Sequence, residues 1–396
     1  MASREDGRLD CRDAATGSVA WQFTAGGRID SPPTIHGNRV FFGSADGWIY
    51  SLAAADGRLI WRFRAAPAER RIVSYDRVES AWPVHGSVLV LESGDGTAVV
   101  YAAAGRSSYL DGGIRLYGLD ADTGEVRHRT VVRSPQVDVS NPKGGRPWNA
   151  TLHDVLVTDG HYIFMRNCTF DRQLTLLSPP QRREADPPPK QHVSAWTGLL
   201  DDNGWNRSFW MAADHWPQYF ANQSPKAGQL LVFDDTTTYA VKCYTKRNLH
   251  SPMFFPETQG YLLMADANTN EPYLYRGEPD QPKPLKWLPP VDSSQRFVYD
   301  APVVGDPRCT GYTRRSPAKW TQWLPVRIRA MVKTADRLFV AGPPDVIVPD
   351  DTLAAFEGRT DGRLVVVDPD TGEIVQEHNL PAPPVFDGLI AAYGRL

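Results

Sequence analysis

Asp6–Trp21 reads DGRLDCRDAATGSVAW, and forty residues later Asp46–Trp61 reads DGWIYSLAAADGRLIW, aligned without a gap. Asp361–Gln376, DGRLVVVDPDTGEIVQ, is a third copy, and Leu116–His128, LYGLDADTGEVRH, is a fourth that lacks the opening Asp-Gly. Each copy has a short β-rich run, a turn centred on Asp-Gly or Thr-Gly, and a second run. Glycine supplies the positive φ such a turn demands, so each copy is a strand pair. The terminal Trp21 or Trp61 is placed to cover a neighbouring hairpin's turn, a task for which His128 and Gln376 are less suited.

The segments before these hairpins repeat as well. Ile29–Ser44, IDSPPTIHGNRVFFGS, aligns on Val78–Ser93, VESAWPVHGSVLVLES, at an offset of 49, which equates Asp30 with Glu79 and His36 with His85. Looser copies follow at 148–165, 195–211, 328–342 and 385–396. A hairpin followed by a hairpin makes a four-stranded blade. The chain therefore reads as all-β, with residues 1–396 forming a single β-propeller of about seven blades, six or eight being the neighbouring counts. It opens on a hairpin without its preceding pair and ends on PPVFDGLIAAYGRL, a pair without its following hairpin. Gly7–Phe23 and Pro383–Leu396 are thus expected to share one blade and close the ring, removing free sheet edges.

Composition agrees with many short strands: 32 Gly, 33 Pro and 12 Trp in 396 residues. With 43 basic against 46 acidic residues, a net charge of −3 gives no field for a polyanion, so nucleic acid is not an expected partner. No apolar run approaches the roughly 20 residues of a membrane span, and Met1–Arg8 lacks the apolar core of a signal peptide. Cys11, Cys168, Cys243 and Cys309 are scattered, without the spacing of a zinc or haem site, and read as ordinary thiols unless the compartment is oxidising.

The stretch Asp13–Trp21, D-x-x-T-G-x-x-x-W, resembles the tryptophan-docking signature of quinoprotein-like (PQQ-like repeat) β-propellers, over residues 6–130 and 325–396. More narrowly, AWPVHGSVLV (81–90) and AAAGRSSYLDGGI (102–114) are similar to uncharacterised repeat proteins of planctomycete-type bacteria. The resemblance implies a periplasmic or secreted protein. In the enzymes of that family it implies pyrroloquinoline quinone held with calcium, often beside a disulfide between adjacent cysteines and stacked on tryptophan. No adjacent cysteines occur here, so PQQ is not the favoured cofactor, while calcium remains open.

The long segments, 64–77, 102–113, 131–148, 178–192 and 343–360, all fall on one expected face, where binding on a rigid scaffold usually resides. The first residues of the innermost strands are expected to ring the channel mouth: Asp30, Glu79, Asn149, Arg329 and Asp387. Asp30, Glu79 and Asp387 are candidate catalytic carboxylates, and Glu79, Asn149 and Asp30 candidate oxygen ligands for calcium. The competing reading pairs Arg329 with a carboxylate and leaves the rest to water. Arg71, Arg106, Tyr109, Asp111 and Arg329 combine guanidinium, aromatic and carboxylate groups in a manner suited to a sugar. Against this, RSSYLDGG (106–113) reads equally as a glycine turn whose Asp111 and Ser107 bond their own backbone. His36 and His85 are taken as structural, at tight turns on the opposite face, and His153 and His161 lack ligand-spaced partners. Two functions follow: a scaffold binding a polar small molecule, glycan or protein, or an enzyme at the channel mouth, either a quinone- and calcium-dependent dehydrogenase or a carboxylate-based hydrolase or lyase.

Overall fold

The computed structural model describes residues 6–74, 77–94, 96–134, 151–166, 168–177, 192–195, 210–213, 225–242, 261–275, 311–314, 316–384, 388–392 and 394–396. The chain forms two compact units: 1–187 with 192–207, and 188–191 with 208–396.

In the first unit β1 (Arg8–Arg12) pairs with β2 (Val19–Thr24) in a two-stranded sheet. Next comes an antiparallel meander of β3 (Thr34–His36), β4 (Arg39–Gly43), β5 (Trp48–Ala53) and β6 (Leu59–Arg64). A separate ribbon pairs β7 (Arg71–Ser74) with β8 (Arg77–Ser80). The second meander is β9 (Leu89–Glu92), β10 (Ala98–Ala104), β11 (Ile114–Asp120) and β12 (Val126–Val132). The third is β13 (Val157–Thr158), β14 (Ile163–Met165), β15 (Cys168–Phe170) and β16 (Leu176–Leu177), and β17 (His192–Ala195) follows. Successive sheets pack face to face through apolar cores. Leu9, Ile29 and Phe42 join the first pair, Phe41, Ile49, Val100 and Leu119 the next, and Tyr101, Ile114, Met165 and Phe170 the last.

In the second unit β18 (Trp210–Ala213) pairs with β19 (Ala227–Gly228). A four-stranded sheet holds β20 (Leu230–Phe233), β21 (Thr237–Lys242), β22 (Tyr261–Ala267) and β25 (Trp320–Leu324), with the hairpin β23 (Pro272–Tyr275) and β24 (Gly311–Arg314) inserted before β25. A last meander runs β26 (Ala330–Lys333), β27 (Leu338–Gly342), β28 (Gly362–Val367) and β29 (Ile374–Leu380); the short helix α1 (Ala354–Glu357) lies in the 343–360 insertion. Leu263, Trp320, Val340 and Val365 share the core between these two sheets. The described chain is thus all-β, in four-stranded meanders of the propeller-blade type.

The four sequence copies fold alike. Asp13, Asp120 and Asp368 each turn Oδ1 back onto the amides of the next residues, including Thr16, Thr123 and Thr371. The closing glycines Gly17, Gly57, Gly124 and Gly372 have φ of 71°, 72°, 74° and 78°, and each hairpin carries one register shift beside its turn. Trp21 Nε1 donates to Ala54 O at 2.9 Å and its ring lies against Gly57; Trp61 does the same with Ala121 O and Gly124. Trp320, which the repeats do not single out, covers Gly372 and donates to Pro369 O at 2.8 Å.

One expectation changes. The 49-residue offset is not the structural register, because 81–88 form no strand and the pair equivalent to β3 and β4 is β9 and β10. The ribbon of β7 and β8 occupies the place where an innermost strand was expected. Among the described residues of 388–396 the one pairing is an Ala392–Arg395 bridge, and the sheet of β1 and β2 has two described strands, so closure of the ring is not part of the described structure. Among the described residues no helix is long and apolar enough to cross a membrane.

Candidate functional site

With the register corrected, one position recurs in the first unit. Asp30, His85 and His153 each stand four residues before the first strand of three successive meanders, at Thr34, Leu89 and Val157. The Asp30 side chain is 1% exposed; its Oδ2 accepts from His85 Nδ1 at 2.5 Å and from Arg28 Nε at 3.1 Å. A carboxylate only accepts, so His85 carries a proton on Nδ1 and donates it to Asp30. Arg28 Nη2 reaches Glu79 Oε2 at 3.2 Å, an ion pair outside hydrogen-bond geometry, since that oxygen has no hydrogen-bond partner. Buried Arg28 therefore lies between two buried carboxylates contributed by different segments, Asp30 and Glu79. Arg28 also lines, with Asp6, Gly7, Gly26, Gly27 and Glu79, a cleft of about 330 Å³.

The His153 ring is 5.9 Å from that of His85, centroid to centroid, inclined at 32°. His153 is 6% exposed, and neither ring nitrogen has a hydrogen-bond partner. Burial, reinforced by the charge of His85 and opposed by Asp30, pushes its pKa down to about 3, so the imidazole is neutral at physiological pH. Gly86 makes the approach feasible: a Cβ there would stand 2.8 Å from Asp154 O and 3.3 Å from His153 Nε2.

His85, expected at a remote turn, is thus bonded to Asp30, and His153 has the neighbour that spacing concealed. Of the two turn histidines, His36 keeps the anticipated place, ending β3 beside the Gly37 turn and facing Glu92. The cation held between Asp30 and Glu79 is Arg28, where the sequence pointed to a calcium-like ion or Arg329. The recurrence of Asp30, His85 and His153 was detectable only from correctly placed strand starts.

The 105–113 loop is tied down by its own charges. Asp111 (φ 52°) accepts from Arg106 at 2.6 Å and pairs with Arg70 at 2.9 Å, while its carbonyl accepts from buried Trp82 Nε1 at 2.8 Å. Ser108 bonds Ser134 and the Thr151 amide, and Arg106 O accepts from His153 N at 3.3 Å. The loop borders the His153 segment as a structured turn that exposes Tyr109 and Leu110. Arg71 is also exposed and leans on Glu69 at 3.5 Å. In the second unit Arg329 precedes β26, and its guanidinium lies where a Cβ on Gly358 would come within 2.5 Å. Burial lowers its pKa, with the neighbouring Arg327 adding to the effect and Tyr261 opposing. Asn149 and Asp387, and most of the 178–192 insertion, lie outside the described residues.

Tested against the calcium of the resembling enzymes, the described donors Asp30 and Glu79 do not fit. Asp30 is engaged by both Arg28 and His85, and Glu79 by Arg28, so a hard cation would have to displace a buried guanidinium. Among the described residues no group of three or more His, Cys, Asp or Glu is placed to hold a metal. Described cysteines Cys11 and Cys168 are free thiols, and burial raises the Cys168 pKa to about 11.

Residues 1–141 match the family described as outer membrane protein assembly factor BamB. No curated protein matches the chain. Among solved structures, BamB from Moraxella catarrhalis is 12% identical, covering 98% of this chain and 72% of its own, with a TM-score of 0.35. Quinohemoprotein alcohol dehydrogenase from Comamonas testosteroni is 13% identical over 97% of this chain and 68% of its own, with a TM-score of 0.43. The dihydro-heme d1 dehydrogenase NirN in complex with DHE is 12% identical over 96% and 73%, with a TM-score of 0.33.

Proposed function

We propose that this chain is a non-catalytic propeller of about seven blades, closed between its N- and C-terminal strands, that binds a polar partner through the long-loop end of its first unit. The carrying observation is Arg28, buried between Asp30 and Glu79 at the edge of a 330 Å³ cleft. Carboxylates held by a fixed, buried guanidinium are poor nucleophiles, because the cation competes for the oxygen lone pairs that would attack. The same arrangement is well suited to recognition: fixed charges and amides at a cleft of this size hold hydroxyl and amide groups by charge-assisted hydrogen bonds. The ligand class is a glycan or another polyhydroxylated or amide-rich molecule, and Arg71, Arg106 and Tyr109, which do not line this cleft, are proposed as further contacts. A protein partner is supported by the match of residues 1–141 to a family described as an assembly factor, and the same match supports a periplasmic or outer-membrane-associated setting.

A second reading draws on one observation, the Asp30–His85 pair, which is the orienting half of an acid–base apparatus. One experiment separates the two. The chain is titrated by calorimetry with neutral and acidic oligosaccharides, and the mixtures are assayed by chromatography for conversion. Binding that weakens at least about tenfold in Glu79→Gln, with the sugars recovered intact, supports the binding reading. Conversion that Glu79→Gln or His85→Ala abolishes would replace it with the enzymatic one.

A further inference from the structure

Two imidazoles face one another beneath the loops of the first unit, and nothing in the binding reading uses them. His85 donates Nδ1–H to the buried Asp30 carboxylate, so Nε2 is the nitrogen of that ring which the neutral form offers to a metal. That is the carboxylate–histidine arrangement that commonly orients a metal-bound imidazole and raises its basicity. His153 is buried, and both of its nitrogens lack a hydrogen-bond partner, a costly state for a polar ring that has nothing to bind. Gly86 brings the His85 segment against it with no side chain intervening.

The spacing is informative. With metal–nitrogen bonds of about 2.1 Å and a ring centre about 1.1 Å beyond the nitrogen, two imidazoles on one ion have centroids about 5.2 Å apart at the tetrahedral angle and about 6.4 Å when opposed. The observed separation is 5.9 Å. We propose that His85 Nε2 and His153 bind one divalent transition-metal ion of the zinc, nickel or copper class, with Asp30 as the orienting carboxylate and the remaining coordination positions open to water or a ligand. Neutral imidazole selects these borderline ions over calcium or magnesium, which prefer oxygen. The proposal uses neither Arg28 nor Glu79 and shares only Asp30 with the glycan or protein reading. An ion with open positions also supplies an anchor for an anionic or nitrogenous group entering from the loop side, where the His85 side chain is 12% exposed.

The test uses the untagged full chain, stripped with chelator and titrated with Zn²⁺ by calorimetry and with Co²⁺ by visible absorption. One ion per chain is expected, with micromolar or tighter affinity and a Co²⁺ d–d band showing imidazole ligation. His85→Ala and His153→Ala should each weaken binding at least about tenfold, Asp30→Asn should weaken it about 10- to 100-fold, and His161→Ala should leave it unchanged. If His153→Ala does not fold, His85→Ala and Asp30→Asn decide the matter. Failure to bind an ion at one per chain, or binding that survives His85→Ala, would overturn the proposal.

Discussion

Replacing Arg28 with Met keeps most of the apolar stem and removes only the guanidinium, which makes it the sharpest perturbation of the first unit. The side chains concerned are 8% (Arg28), 1% (Asp30) and 3% (Glu79) exposed, so solvent cannot re-solvate the carboxylates left behind. Removing one partner of a buried ion pair costs about 3–5 kcal/mol, because the desolvation already incurred is no longer offset. For a unit of this size each kcal/mol lowers Tm by about 2–4 °C, so the transition of the first unit should fall by about 6–20 °C. Guanidinium denaturation followed by tryptophan fluorescence measures the difference, and thermal scans in low and 1 M salt check its origin. A buried pair is barely screened, so the deficit should persist at high salt, whereas a surface pair's would vanish. The triple variant Arg28→Met, Asp30→Asn, Glu79→Gln should recover at least half of the loss, since no uncompensated charge remains. A cost below about 1 kcal/mol for Arg28→Met, the range of exposed pairs, would refute the view that this guanidinium holds the site together.

Gly57→Ala and Gly124→Ala should each cost about 2–5 kcal/mol, of which about 1–2 is the left-handed backbone and the rest displacement of the Trp21 or Trp61 ring. Gly17→Ala, at φ 71° with nothing within 4 Å of its Cβ, should cost only about 1–2 kcal/mol; equal losses at all three sites in urea melts would remove the tryptophan cover from the account. His153 carries a folded-state pKa of about 3 against 6.5 in the unfolded chain, so its contribution is fully present above pH 6.5 and lost as pH falls towards 3. The metal-free protein should therefore lose up to about 1.4 kcal/mol per pH unit through this group in that window, and His153→Asn should show a shallower acid limb in urea melts run at stepped pH.

The hairpins were legible in the sequence because their causes are local. An Asp that caps the turn, a Thr beside it and a Gly at φ near 72° act within five residues, so Asp13, Asp120 and Asp368 announce their strand pairs without tertiary help. The repeated hairpins and their turn chemistry, with the repeated segments before them, identified the all-β, four-stranded-meander character. The site was another matter, since Asp30, His85 and His153 are far apart in sequence and their equivalence is counted from strand starts. Apparent identity at the HG dipeptides of 36–37 and 85–86 drew the alignment to the wrong offset, for a two-residue match costs nothing in sequence, whereas strand register is decided by which apolar faces can be buried. The β7–β8 ribbon displaced the anticipated strand, moving His85 from a turn to the Asp30 carboxylate. Arg28 was invisible for the same reason: a guanidinium's role depends on which charges surround it, and Glu79 reaches it only when two segments fifty residues apart fold together.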